Sequence, residues 1–140
     1  MFKNIMVPVD LAHLELLEPA LSVVADLAKR YDAHIIYVGV TANTPTSVAR
    51  TPQEYEQKLE AFAHERHKVH GQPVSIRVYS STDPVANVDK QLVDAVEETG
   101  ADLVVMATHL PRHLDIIMPS HGSKVATHTD VSVFLIRVAQ

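Results

Sequence analysis

Apolar residues along this chain gather in two alternating kinds of stretch. In the first kind they run nearly without interruption: Ile5, Met6, Val7 and Val9, then Ile35, Ile36, Tyr37, Val38 and Val40, then Leu103 through Ala107. Short continuous apolar runs bounded by polar residues are what strands buried on both faces show. They predict strands over residues 3–10, 33–40 and 103–107. In the second kind apolar residues return every three or four positions, the spacing of one helix face. Leu17, Ala20, Leu21, Val24, Leu27, Ala28 and Tyr31 predict a helix over 15–31. Tyr55, Leu59 and Phe62 predict a partly solvated one over 51–69, and Val85, Val88, Leu92 and Val96 one from about 84 to 98.

Three further segments complete the pattern. Residues 74–80 alternate, with Val74, Ile76 and Val78 against polar neighbours, the mark of an edge strand. A short helical stretch over about 120–129 follows the third apolar run, and a last strand over 131–138 closes the chain. Local residues punctuate these elements. Pro19 suits only a first turn, which moves the regular start of the first helix toward Glu18. Thr51, Pro52 and Glu54 form an N-cap, a first-turn proline and a capping carboxylate. Asp83-Pro84 opens the next helix, while Gly71 and Gly100 end theirs. Residues 11–14, with His13, read as a loop, and the polar connection 41–50 as the segment expected to be mobile.

Strands alternating with helices imply a parallel sheet covered on both faces. Right-handed crossovers favour an α/β doubly wound domain, flavodoxin-like or Rossmann-like, with five parallel strands in the order 3-2-1-4-5. One domain spans 1–140. The strand order reverses between strands 1 and 4, and ligands bind at the carboxyl ends there. That puts Asp10 beside the loop from Ala107 to Ser120.

Charge and composition narrow the partners. A net charge of −5 argues against nucleic acid, which needs a basic footprint. Without cysteine there are no disulfides or thiolate metal sites. The start lacks a signal-peptide pattern, and no run of about 18 apolar residues offers a membrane span; a cytoplasmic location and no membrane partner are the expectation. The nine histidines call for an explanation. His64, His67 and His70 fall on one helix; the first two could share a face and a metal, but no third ligand is in sight, and His64-Glu65-Arg66-His67 is not the metalloprotease spacing.

The opening Ile5-Met6-Val7-Pro8-Val9-Asp10 and the closing Ser132-Val133-Phe134-Leu135-Ile136-Arg137 resemble the first and last strands of the universal stress protein family, and the resemblance covers essentially the whole chain. It implies an adenine-nucleotide site at Pro8, Val9 and Asp10, with Asp10 contacting the base and the Val40 backbone contacting adenine. The family's nucleotide binders carry Gly-x-x-Gly, a spacer, and Gly-Ser or Gly-Thr. Here Ala107, Leu110 and Pro119 stand at the three glycine positions, and the spacer is one residue shorter. Thr108-His109-Leu110-Pro111 is similar to the shortened loop of the family's smaller, filament-associated branch.

Glycine in a phosphate loop lets backbone approach the oxygens closely. Ala107 loses a little of that freedom, Leu110 more, and Pro119 removes an N–H. The Ser120 hydroxyl, the N–H groups of Ser120, His121 and Gly122, and the side chains of His109 and Arg112 remain as donors, with the dipole of the short helix behind them. Lys124 reads as solvated. No Walker lysine and no Gly-x-Ser-x-Gly elbow occur, so nothing beyond slow nucleotide hydrolysis is expected as catalysis. The resulting expectation is ATP, ADP or AMP, with or without Mg, bound as a regulatory ligand in stress response. The competing one is a nucleotide-free homodimeric interaction protein. A metal- or anion-dependent enzyme using the histidines ranks behind both. For the oligomer, the apolar edge Val131, Val133, Phe134, Leu135, Ile136 and Val138 invites pairing, and the resemblance implies a homodimer through it.

Overall fold

The computed structural model describes residues 1–109 and 121–138. Five parallel strands, β1 (Asn4–Pro8), β2 (His34–Ala42), β3 (Val74–Ser81), β4 (Leu103–His109) and β5 (Ser132–Val138), form one sheet in the order β3-β2-β1-β4-β5. The helices are α1 (Glu18–Tyr31), α2 (Pro52–His70), α3 (Pro84–Thr99) and α4 (His121–His128). The fold class and strand order are those expected from the hydrophobic pattern.

Crossover handedness sorts the helices onto faces. The steps β1 to β2 to β3 travel one way across the sheet, and the steps β3 to β4 to β5 travel the other way. Right-handed connections therefore place α1 and α2 on one face and α3 and α4 on the opposite one. Two cores result. Ile5, Val7, Ile35, Tyr37 and Val105 meet Leu21 and Val24 of α1 and Leu59 of α2. Met6, Ile36, Val38 and Val104 meet Leu92 and Val96 of α3 and Val125 of α4. Successive strand residues point to opposite faces, so each central strand feeds both cores, which explains its unbroken apolar sequence.

Several boundaries shift for local reasons. The first strand is shorter than residues 3–10, because the chain turns at Asp10. The loop after it is a 3-10 segment, Leu11–Leu16, capped by Asp10. Regular α1 begins at Glu18, with Pro19 in its first turn. Its C-cap is Asp32 in the left-handed conformation at φ 52°, where a short polar side chain is tolerated. Gly71, at φ 75°, ends α2. Strand β4 runs on to His109 and β5 starts at Ser132.

The connection at 41–50, expected to be mobile, is instead tied down. The Thr46 hydroxyl accepts from the Val48 and Ala49 N–H groups at 3.2 Å each, and the Thr46 N–H donates to the Ala49 carbonyl at 2.8 Å. Ala49 is buried, and Lys58 of α2 donates to the Val48 carbonyl. Threonine folding back on its own backbone makes this an ordered turn.

Candidate functional site

The sheet opens where its order reverses. Strands β1 and β4 register only at Ile5 with Leu103 and Met6 with Val104, whereas β1 follows β2 to Pro8 opposite Val38. Backbone parity gives the reason. The Lys3 carbonyl accepts from the His34 N–H, and the Val9 N–H donates to the Val38 carbonyl, so odd residues of β1 face β2. The Asn4 carbonyl accepts from the Asp102 N–H, so even residues face β4. Pro8 is the next even residue after Met6, and it has no N–H to donate. The ladder stops there, and β4 continues alone with β5 to His109 opposite Val138.

Asp10 stands at the mouth of this gap, with its side chain mostly exposed. One carboxylate oxygen accepts from the Ala12 N–H at 3.0 Å and the other meets the His13 Nδ1 at 2.9 Å. The Asp10 carboxylate raises the His13 pKa above its ordinary value, first through the hydrogen bond and then through its charge. Asp10 is thus an N-cap. A carboxylate has roughly four acceptor positions, so two bonds leave capacity for a ligand donor.

Val9 is buried, and Val40 is partly buried against the α3 face. Even residues of β2 face β1, as the His34 N–H and the Val38 carbonyl show. The Val40 backbone therefore faces the same side, past the end of β1. Ala107 is partly buried and opposite Ile136. His109 ends β4 and His121 opens α4. Because α4 returns antiparallel to β4, its N-terminal end lies at the carboxyl edge of the sheet. Leu110, Arg112, Pro119 and Ser120 lie outside the described residues. The structure thus brings Pro8, Val9, Asp10, Val40, Ala107 and the backbones of His109 and His121 to one edge.

Tyr55 is the residue that sequence reading placed only in a core stripe. It is buried, and its ring lies against Gly39: a Cβ there would come within 2.6 Å of the Tyr55 Cε1. Burial, with the Asp10 charge second, pushes its hydroxyl up to about 12, while the Leu11 backbone acts the opposite way. Tyr55 thus crosses from α2 over β2 to the turn that holds Asp10. The available signal was Gly39, a glycine inside an otherwise apolar strand, which marks a close approach.

Two histidines of α2, His67 and His70, hold the turn that follows the helix. His67 donates from Nδ1 to the Gln72 carbonyl at 2.7 Å, and His70 is buried. Among the described residues no group of three His, Cys, Asp or Glu is arranged to hold a metal. A groove of about 700 Å³ between α2 and β3, lined by Glu56, Glu60, His64 and His67, is separate from the opening at Pro8. No helix among the described residues is long and apolar enough to cross a membrane.

Residues 1–137 match the family model described as the universal stress protein family. Among solved structures, a universal stress protein in complex with cAMP is 20% identical, with 99% of this chain and 98% of that chain covered and a TM-score of 0.71. The universal stress protein from Archaeoglobus fulgidus in complex with dAMP is 17% identical, covering 96% and 97%, at 0.65. A family protein from Arabidopsis thaliana with AMP bound is 13% identical, covering 98% and 92%, at 0.66. At these identities the likeness is one of fold.

Proposed function

The chain belongs to the universal stress protein family, and from that premise we propose that it binds an adenine nucleotide as a regulatory ligand in stress response, in the cytoplasm. The observation that carries this is the sheet opening between Pro8 and β4, bordered by Asp10 and the Val40 backbone. Three structures of the same fold hold cAMP, dAMP and AMP, which supports adenine as the shared element. In this proposal Asp10 accepts from the exocyclic amine of the base, and the Val40 backbone pairs with the ring edge. Pro8, Val9, Ala107 and Leu110 pack around it. His109, Arg112, Ser120 and His121 meet the phosphates, with Mg where ATP is the nucleotide.

Occupancy is the output in this proposal, with at most slow nucleotide hydrolysis beside it. The glycine positions held by Ala107, Leu110 and Pro119 favour the nucleoside half of the ligand over its phosphates. Calorimetry with ATP, ADP and AMP tests this: the expected result is binding with little gain from added phosphates. No heat with any of the three would sink it.

A second reading has its own support. Phe134 is 44% and Leu135 40% exposed on the β5 edge. Large apolar side chains beside unpaired strand backbone favour a homodimer through β5. If the nucleotide titrations are blank, dimer-based interaction without ligand is the function that remains.

A further inference from the structure

His70 is the last residue of α2, and only 6% of its surface is exposed. Its Nδ1 accepts from the Gln72 N–H at 3.0 Å, so that nitrogen carries no proton. The neutral ring must then hold its proton on Nε2, which faces the Tyr37 hydroxyl at 3.4 Å. Both ring nitrogens are therefore assigned by geometry. The turn between α2 and β3 is held by a second imidazole as well, because His67 Nδ1–H donates to the Gln72 carbonyl. Beyond the turn, the Pro73 carbonyl accepts from the Ile35 N–H at 3.0 Å, which starts the pairing of β3 with β2.

We propose that His70 is an acid-sensitive latch, which closes the turn from α2 into β3 while its ring is neutral and releases that turn on protonation. An imidazolium donates from both nitrogens. Nδ1–H would then confront the Gln72 N–H, two donors with no acceptor between them, at a part-buried contact. His67 does not respond this way, since its Nδ1 is a donor in either state. The titratable and charged groups facing His70 all oppose a positive ring: Arg66 and His67 on α2 and Lys29 on α1. Tyr37, on β2, is held neutral by burial, with its hydroxyl pushed up to about 12. Burial first, then these charges, lowers the His70 pKa below its ordinary 6.5.

The sign follows. Below 6.5 the unfolded chain takes up a proton that the folded ring refuses, so stability falls as pH drops toward the folded value and is fully present above 6.5. Release opens the amino-terminal end of β3, an edge strand, at the opposite end of the sheet from the gap at Pro8. Acid is thus a second input, independent of any nucleotide.

The test compares the full chain with His70→Gln, whose amide oxygen can accept from Gln72 and whose nitrogen can donate to Tyr37. In urea denaturation from pH 7.5 to 5, the folding constant of the wild type is expected to fall up to ~tenfold per pH unit more steeply than that of the variant. His67→Gln keeps a donor to the Gln72 carbonyl but removes one charge opposing the His70 ring, so its slope should be lessened yet stay steeper than that of His70→Gln. Parallel slopes for the wild type and His70→Gln would overturn the latch. Should His70→Gln fail to fold, NMR of the wild type decides. The Gln72 and Val74 amides should shift with the His70 ring at a midpoint below 6.5. A His70 midpoint at or above 6.5, or amides indifferent to it, overturns the proposal.

Discussion

The two ends of the same sheet are built on opposite terms. At the amino-terminal end, backbone groups are closed off by side chains. The Asp102 carboxylate accepts from the Lys3 N–H at 2.8 Å and from the Asn4 N–H at 3.1 Å, and the Asp102 N–H returns a bond to the Asn4 carbonyl. His67 and His70 do the same for Gln72. At the carboxyl-terminal end β1 and β4 part at Pro8, and the nearby acid, Asp10, keeps acceptor capacity. A parallel α/β sheet binds ligands at its strand ends; here the starts of the strands supply cohesion and the ends supply the opening.

Tyr55 joins the two kinds of work, and its removal should have the largest effect. Tyr55→Ala is expected to cost about 3–5 kcal/mol, the range for deleting a buried aromatic, and to weaken nucleotide binding because the Asp10 turn loses its support. Chemical denaturation and calorimetry read the two losses separately. Asp102→Ala should cost about 1 kcal/mol through two backbone–carboxylate hydrogen bonds lost at a partly exposed site. It should leave nucleotide affinity of the folded protein unchanged; an equal loss of affinity would erase the distinction between the ends. Asp10→Ala reverses the pattern, with about 1 kcal/mol from the lost cap and a larger effect on affinity.

The β5 edge sharpens the comparison from another side. A charged substitution at Val133 or Leu135 is expected to give a monomer in sedimentation, and a dimer that persists would rule out this edge. The smallest effect is at His13. Its raised pKa means that its pairing with Asp10 stabilises fully below the ordinary 6.5 and fades as pH rises through the folded value. Asp10→Asn should bring the His13 midpoint, read by NMR, back toward 6.5.

Much of the fold was legible because periodicity reports burial. The unbroken run at Ile5–Val7, the helical spacing from Leu17 to Ala28 and the alternation at Val74, Ile76 and Val78 each correspond to the observed element. The ends of elements were less legible, since they depend on single hydrogen bonds. Asp10 caps a 3-10 segment where the sequence suggested a loop, and Thr46 orders a turn that polar composition alone suggested was mobile. The proposed site positions at Pro8, Asp10 and Val40 rest on the strand order together with the resemblance. Tyr55 did not, because a residue on a helix stripe says nothing of how far its ring reaches. His70 was hidden similarly: its role rests on the Gln72 N–H, a contact set by a left-handed glycine turn and by no spacing rule.

The most direct test is a backbone-amide NMR titration with AMP. A ligand in the opening between β1 and β4 should shift the Val9, Asp10 and Val40 resonances and leave Gln72 and Asp102 in place. Shifts confined to Gln72 and Asp102, or no shifts at saturating AMP, would contradict the account.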